Sequence, residues 1–144
     1  KDSPRAEAVV ERVGPTVDDP VELHTVTGVA HARMPTYMNA ADALLLTSRR
    51  EGSPNAVKEA LACNLPVVAV DVGDVAERLD GGEPSPVCRS DDELVAGLRA
   101  VLDTDRRSNG RSAAREVSVD RTNERLHGVY RSVVDDAESP EGGA

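Results

Sequence analysis

The run ALLLTSRREGSPNAVKEALACNLPVVAVDVGD, residues 43–74, decides how this chain folds. Residues 43–46 are unbroken apolar, as in a strand buried on both faces of a parallel sheet. A polar loop follows, and Ser53 then caps a helix, with Pro54 at its start, that carries Val57, Glu59 and Leu61 as far as Cys63. Asn64 tolerates the left-handed conformation that ends a helix. Residues 66–70, Pro-Val-Val-Ala-Val, read as the next buried strand. Strand, helix, strand implies a right-handed crossover in a parallel α/β sheet, whose ligands lie at the C-terminal ends of the strands. The loop after Leu46 lies at such an end.

The pattern continues on both sides. Ser3 with Pro4 predicts a helix through Val9, Val10 and Val13 that stops at Gly14. Residues 21–26 alternate apolar and polar, as in an edge strand, and a turn at Gly28 leads to a short helix over 35–42. Downstream, residues 75–79 predict a helical stretch, Gly81-Gly82 a turn, and Val87-Cys88 a last strand. Ser90 and Glu93 form a capping box for a helix through Leu94, Leu98 and Val101. Two further helices are predicted, over 105–117 and 120–136.

One domain is expected from 144 residues. Only 1% of residues are aromatic, so the core is aliphatic, and Val-rich strands under Ala-rich helices suit it. With 26 acidic against 17 basic residues the net charge is -9, which argues against nucleic acid or an anionic membrane as the main partner. Acid excess with only Lys1 and Lys58 as lysines also fits a halophilic protein, in which salt screens self-repulsion. Cys63 and Cys88 read as reduced, buried small hydrophobes rather than a disulfide or metal pair. With no signal peptide and no apolar run near 18 residues, a cytoplasmic location is expected.

At 100° per residue Val57, Ala60 and Leu61 share one side of the central helix, while Asn55 and Glu59 share the other. Free N–H groups and a positive dipole end at the helix start suit phosphate. Glu59 lies roughly 7 to 8 Å along the axis from Pro54, a fitting offset between a diphosphate and a ribose. Glu51 stands eight positions earlier, in the loop. Two carboxylates around a helix start suit a nucleoside diphosphate whose ribose and attached group both need acceptors. On spacing alone, however, both glutamates are ordinary solvated surface.

The surrounding string is more specific. Glu51, seven residues, Glu59, then Ala62-Cys63-Asn64-Leu65-Pro66-Val67-Val68 and Asp71-Val72-Gly73 resembles the C-terminal nucleotide-binding domain of family 4 glycosyltransferases of the GT-B fold. That family's pattern is Glu, seven residues, Glu, Ala-Cys-Gly-x-Pro-Val-Val and Asp-x-Gly. The resemblance extends to Gly28-Val29, Pro35-Thr36-Tyr37-Met38 and Ala40-Ala41-Asp42 upstream. Downstream it reaches Leu102-Asp103, Arg106, Gly110, Ala114-Arg115 and Tyr130.

It implies an α/β fold, a Rossmann-like parallel sheet flanked by helices, covering residues 1–137 with the first strands missing and a disordered tail at 138–144. By that resemblance Glu51 would be the catalytic-site residue, contacting the donor sugar's hydroxyls and holding its anomeric carbon. Gly52 and Ser53 would border sugar and phosphates, and the amides of Asn55 and Ala56 would meet the diphosphate. Glu59 would accept from the ribose hydroxyls, with Val29 and His31 near the base. The implied reaction is hexosyl transfer from a nucleotide-diphosphate sugar to a glycan, lipid-linked or small-molecule acceptor. It retains anomeric configuration and requires no metal or other cofactor.

Three departures stand out. The family's domain opens with a strand, a Gly-containing turn with a basic pair, and a second strand, none of which is matched before Ser3. The N-terminal domain that holds the acceptor is expected in cis or in trans, possible membrane contact at the inner face is expected through it, and this piece alone is not expected to be competent. Asn64 and Asp74 stand where Gly is usual. A second function class stays open, a non-catalytic nucleotide-binding or interaction module with the same fold.

Weaker signals remain. Asp103-Thr104-Asp105 spells a metal-binding triplet of another transferase fold but sits at a helix end with no preceding strand. Arg49-Arg50 either steers an anionic donor or balances local acid, and Tyr37 and Met38 read as core.

Overall fold

A computed structural model describes residues 2–104 and 106–138, the side chains of 135–138 excepted. It divides into two compact units, Lys1–Ala114 and Arg115–Ala144. In chain order the elements are α1 (Ser3–Val13), α2 (Met34–Ala40), β1 (Leu44–Leu46), α3 (Asn55–Ala62), β2 (Val67–Val70), α4 (Val75–Leu79) and β3 (Val87–Cys88). Then come α5 (Asp91–Thr104), α6 (Arg111–Glu116) and α7 (Val119–Glu138), and 3-10 turns occupy Gly14–Thr16 and His31–Arg33.

Among the described residues the sheet has three strands in the order β1-β2-β3, all parallel. Leu44 pairs with Val67, Leu46 with Ala69, and Val70 with Cys88. The two-residue period of β2 sends its side chains to opposite faces. Val67 and Ala69 join Met38, Leu46, Val57, Leu61 and Val75 on one face, while Val68 and Val70 join Val9, Val13, Leu94, Leu98 and Val101 on the other. The first unit is therefore helix, sheet, helix, and every residue of β2 is at most 5% exposed. Each fully buried Val or Leu contributes about 1.5 to 3 kcal/mol of transfer free energy, so an apolar run of this kind stays in the interior.

The parallel α/β class is as expected, and several local readings need correction. Residues 20–27 form no strand, and residues 21–26 make no backbone hydrogen bond to another strand among the described residues. Alternation alone makes a strand only where a ladder partner exists, and Val21, Leu23 and Val26 are half-buried without one. The cap of α1 is Asp2, not Ser3: its side chain accepts from the Arg5 amide at 3.4 Å, and Gly14 stays right-handed and runs on into the 3-10 turn. Tyr37 is 41% exposed while Met38 is buried, so only the latter is core. Cys88 is buried and Cys63 only half-buried; both are free thiols, and burial followed by Glu93 pushes the Cys88 thiol up.

The capping box forms with one change. The Glu93 amide donates to Ser90 Oγ at 3.2 Å, but the Glu93 carboxylate accepts from the Arg89 amide at 2.7 Å rather than from Ser90. α6 is shorter than its predicted span, and Asp105 lies outside the described residues. In the second unit α7 carries Arg121 and Arg125 paired with Glu124 and Glu116, and a stripe of exposed Leu126, Val129, Tyr130, Val133 and Val134. The expected disordered tail lies, from residue 139, outside the described residues. No helix among the described residues is long and apolar enough to cross a membrane.

Candidate functional site

The start of α3 carries no side-chain cap. The cap position falls to Pro54, extended at φ -67° and ψ 120° and without a side-chain acceptor, while Ser53, the expected cap, stands one residue further out and donates its hydroxyl to Asp74 Oδ2 at 2.7 Å. The amides of Asn55 and Ala56 consequently have neither a cap nor an intrahelical acceptor. Lys58 folds back over this start, its Nζ 3.3 Å from the Ser53 carbonyl and 3.5 Å from Asn55 Oδ1. A cation and free N–H groups thus share one end of one helix, an arrangement that attracts an anion.

The helix is fixed from beneath and from behind. Val57, Ala60 and Leu61 are fully buried against the sheet, while Asn55 is exposed and Glu59 half-buried, as the helical wheel predicts. Asn64 takes φ 52°, its carbonyl accepts from the Ser108 amide at 2.8 Å, and its Oδ1 accepts from the Arg111 amide at 2.9 Å. Arg107 donates to the carbonyls of Ala41, Met38 and Cys63 at 2.6, 3.2 and 3.1 Å, tying the C-terminal ends of α2 and α3 together. A Cβ at Gly110 would overlap Leu61, so this segment needs glycine to close on α3.

The loop after β2 packs onto the loop before α3. Gly73 has φ 56°, and a Cβ there would overlap the Gly52 carbonyl oxygen. The Asp74 amide donates to that carbonyl at 2.9 Å, and Arg78 donates to Asp74 Oδ2 at 2.9 Å. Burial pushes the Asp74 carboxyl up, but the hydrogen bonds from Ser53 and Arg78 outweigh it and hold the carboxyl below its ordinary value of 3.8. The other oxygen, Oδ1, is buried with no partner.

Of the residues read from the sequence, the structure brings His31 and Glu59 together, with Nδ1 to Oε1 at 3.6 Å. Glu59 shows 28% of its side chain, enough for a hydroxyl to reach it. Val29 is half-buried two residues before His31 in an irregular stretch. Glu51 is half-buried, and its carboxylate makes no hydrogen bond or ion pair among the described residues. Gly52 is held by the Asp74 amide, and the Ser53 hydroxyl is committed to Asp74.

Lys58, Asp74 and Arg107 were not singled out as site residues, although Asp74 stood out where glycine was usual. Lys58 stands three positions after Asn55, the helical spacing that lets its ammonium reach back to the helix start, and that spacing is the signal by which it could be found. Arg49 pairs with Asp2 at 2.8 Å, so it balances local acid, and Arg49 leads the causes that hold the Asp2 carboxyl below its ordinary value. Asp103 pairs with Arg99 at 3.4 Å, and no group of three His, Cys, Asp or Glu residues among the described residues is arranged to hold a metal.

Comparison with known proteins gives the family. A family model described as glycosyl transferases group 1 matches residues 2–104. The chain is 41% identical over 78 residues to TuaC of Bacillus subtilis (strain 168), a candidate glycosyltransferase of teichuronic acid biosynthesis. The match takes in 53% of this chain and 20% of that relative's length, so the chain spans about a fifth of it. No solved structure matches. The parallel α/β fold and a family model that matches most of the chain lead to one conclusion: the chain belongs to the group 1 glycosyl transferases.

Proposed function

We propose that the chain forms the donor-binding part of a glycosyltransferase that uses a nucleotide-diphosphate sugar. The observation that carries this reading is the start of α3, where the free amides of Asn55 and Ala56 and the Lys58 ammonium stand between the unpaired Glu51 carboxylate and the Glu59–His31 pair. In this reading the diphosphate takes the amides and Lys58, the ribose hydroxyls donate to Glu59, and the base lies by Val29 and His31. Glu51 then faces the sugar hydroxyls and holds the anomeric carbon toward the acceptor.

Transfer proceeds with retention of configuration and without a required metal, to an acceptor held by a facing domain supplied in cis or in trans. Without that domain the 144-residue chain binds donor and transfers nothing. The cytoplasmic side, where nucleotide sugars are made, is its proposed location.

Titration with UDP, GDP and ADP, before and after Glu59→Ala, tests the reading. Charge-assisted hydrogen bonds of about 1.5 to 3 kcal/mol predict a weakening of about ten- to a hundredfold in the variant. Equal binding by both proteins removes Glu59 from the ribose, and no binding by either removes the nucleotide site.

A further inference from the structure

The two loops at the start of α3 are joined by one residue, Asp74, that the proposed function does not use. Asp74 donates its amide to the Gly52 carbonyl at 2.9 Å and takes the Ser53 hydroxyl proton on Oδ2 at 2.7 Å. Its side chain is only 20% exposed, and Oδ1 is buried without any partner. Leaving a buried acceptor unpaired costs stability, and such a group calls for an explanation beyond packing. Ser53 itself is exposed, so a ligand can reach its hydroxyl.

We infer that Asp74 is a positioning residue that makes the Ser53 hydroxyl an acceptor, so that Ser53 receives a hydroxyl of the donor's sugar and turns phosphate away. The inference rests on the donor-site reading above and deepens it. A serine hydroxyl has one proton and two lone pairs, and here the proton is spent on a carboxylate. What remains toward solvent is lone pairs alone. A phosphate oxygen brings lone pairs of its own and a negative charge, and it would face both the Ser53 oxygen and the Asp74 carboxylate behind it. A sugar hydroxyl brings the missing proton.

The two sides of Ser53 are therefore unlike. Its carbonyl lies beside the Lys58 ammonium, on the side suited to the diphosphate, and its hydroxyl lies beside Asp74, on the side suited to the sugar. Arg78 and Lys58 are the cations that act on the Asp74 carboxylate, Arg78 through a direct hydrogen bond. This narrows the expected role of Ser53, from bordering sugar and phosphates to contacting the sugar alone.

The test is a cycle of Asp74→Ala, Ser53→Ala and the double variant in the 144-residue chain, titrated with whichever of UDP, GDP and ADP binds best, and checked for cooperative melting. Asp74→Ala is expected to tighten diphosphate binding by about three- to tenfold, because it removes a charge and frees the Ser53 proton for phosphate. Adding Ser53→Ala is expected to remove the part of that gain that the hydroxyl supplies and to leave the part that comes from the lost charge.

Ser53→Ala alone is expected to leave diphosphate affinity unchanged, which tests the inference even if Asp74→Ala does not fold. A Ser53→Ala variant that binds the diphosphate severalfold more weakly overturns the inference, because the hydroxyl then donates to phosphate. So does a folded Asp74→Ala protein with unchanged or weaker binding, or a gain that survives undiminished in the double variant. Binding by the parent chain with any of these results leaves the donor site standing and sinks this inference alone; no binding by any of the four proteins sinks both.

Discussion

Two helices of the first unit begin on the same Ser-Pro step and finish in opposite states. At α1 the residue before the step is Asp2, whose carboxylate accepts from the Arg5 amide at 3.4 Å and from Arg49 at 2.8 Å. Arg5 in turn pairs with Asp91, so the start of α1 is capped and its charges are matched. At α3 the helix starts only after the step, at Asn55, so the cap position falls to Pro54, which has no side-chain acceptor, and Ser53 gives its hydroxyl proton to Asp74. The first start is closed by the protein, and the second is left for something else. The same step thus starts one helix at its serine and the other just past its proline, and that register decides whether the first amides are capped.

The comparison can be broken most severely at Gly73. Gly73→Ala forces a side chain into left-handed backbone and against the Gly52 carbonyl oxygen. A cost of about 3 kcal/mol or more is expected, read as a fall of roughly 10 °C in melting temperature. An unchanged melt would mean that the two loops do not touch.

Lys58→Met tests whether the open start is cationic. Diphosphate affinity is expected to fall about threefold in dilute buffer, with the difference shrinking as salt is added, since a partly exposed charge is screened. Identical titrations at both salt levels would take Lys58 out of the site.

Asp2→Ala opens the start of α1 in imitation of α3. A small drop in melting temperature is expected with diphosphate binding unchanged, and a variant that gains a second diphosphate site would show that uncapping alone makes a cradle.

Acid should act weakly on both starts. The Asp2 and Asp74 carboxyls titrate below 3.8 in the folded chain, so their stabilisation is complete above that value and is lost as pH falls through their lower folded values. Chemical denaturation from pH 6 to pH 2 should show stability falling below about pH 4, with Asp74→Asn flattening the fall.

Much of this molecule was legible in residues 43–74. The apolar runs made β1 and β2, the wheel of α3 put Val57, Ala60 and Leu61 inward, and Asn64 took the left-handed turn. These are consequences of burial and periodicity, which depend on residue type and order. The strand read at residues 21–26 failed because alternation carries no information about whether a ladder partner lies alongside. The cap read at Ser53 failed because the helix starts at Asn55, so that Pro54, which has no side-chain acceptor, holds the cap position and Ser53 stands one residue outside it.

The candidate site divides in the same way. The sequence determined that two glutamates flank a helix start at the C-terminal end of a buried strand, because strand, loop and helix lengths fix that placement. Only the tertiary structure decided that His31 meets Glu59 and that Asp74 grips Ser53. Each of those is a meeting of polar groups across space, set by side-chain rotamers and the close approach of Gly73 to Gly52, and polar pairing of that kind leaves no periodic trace along a chain.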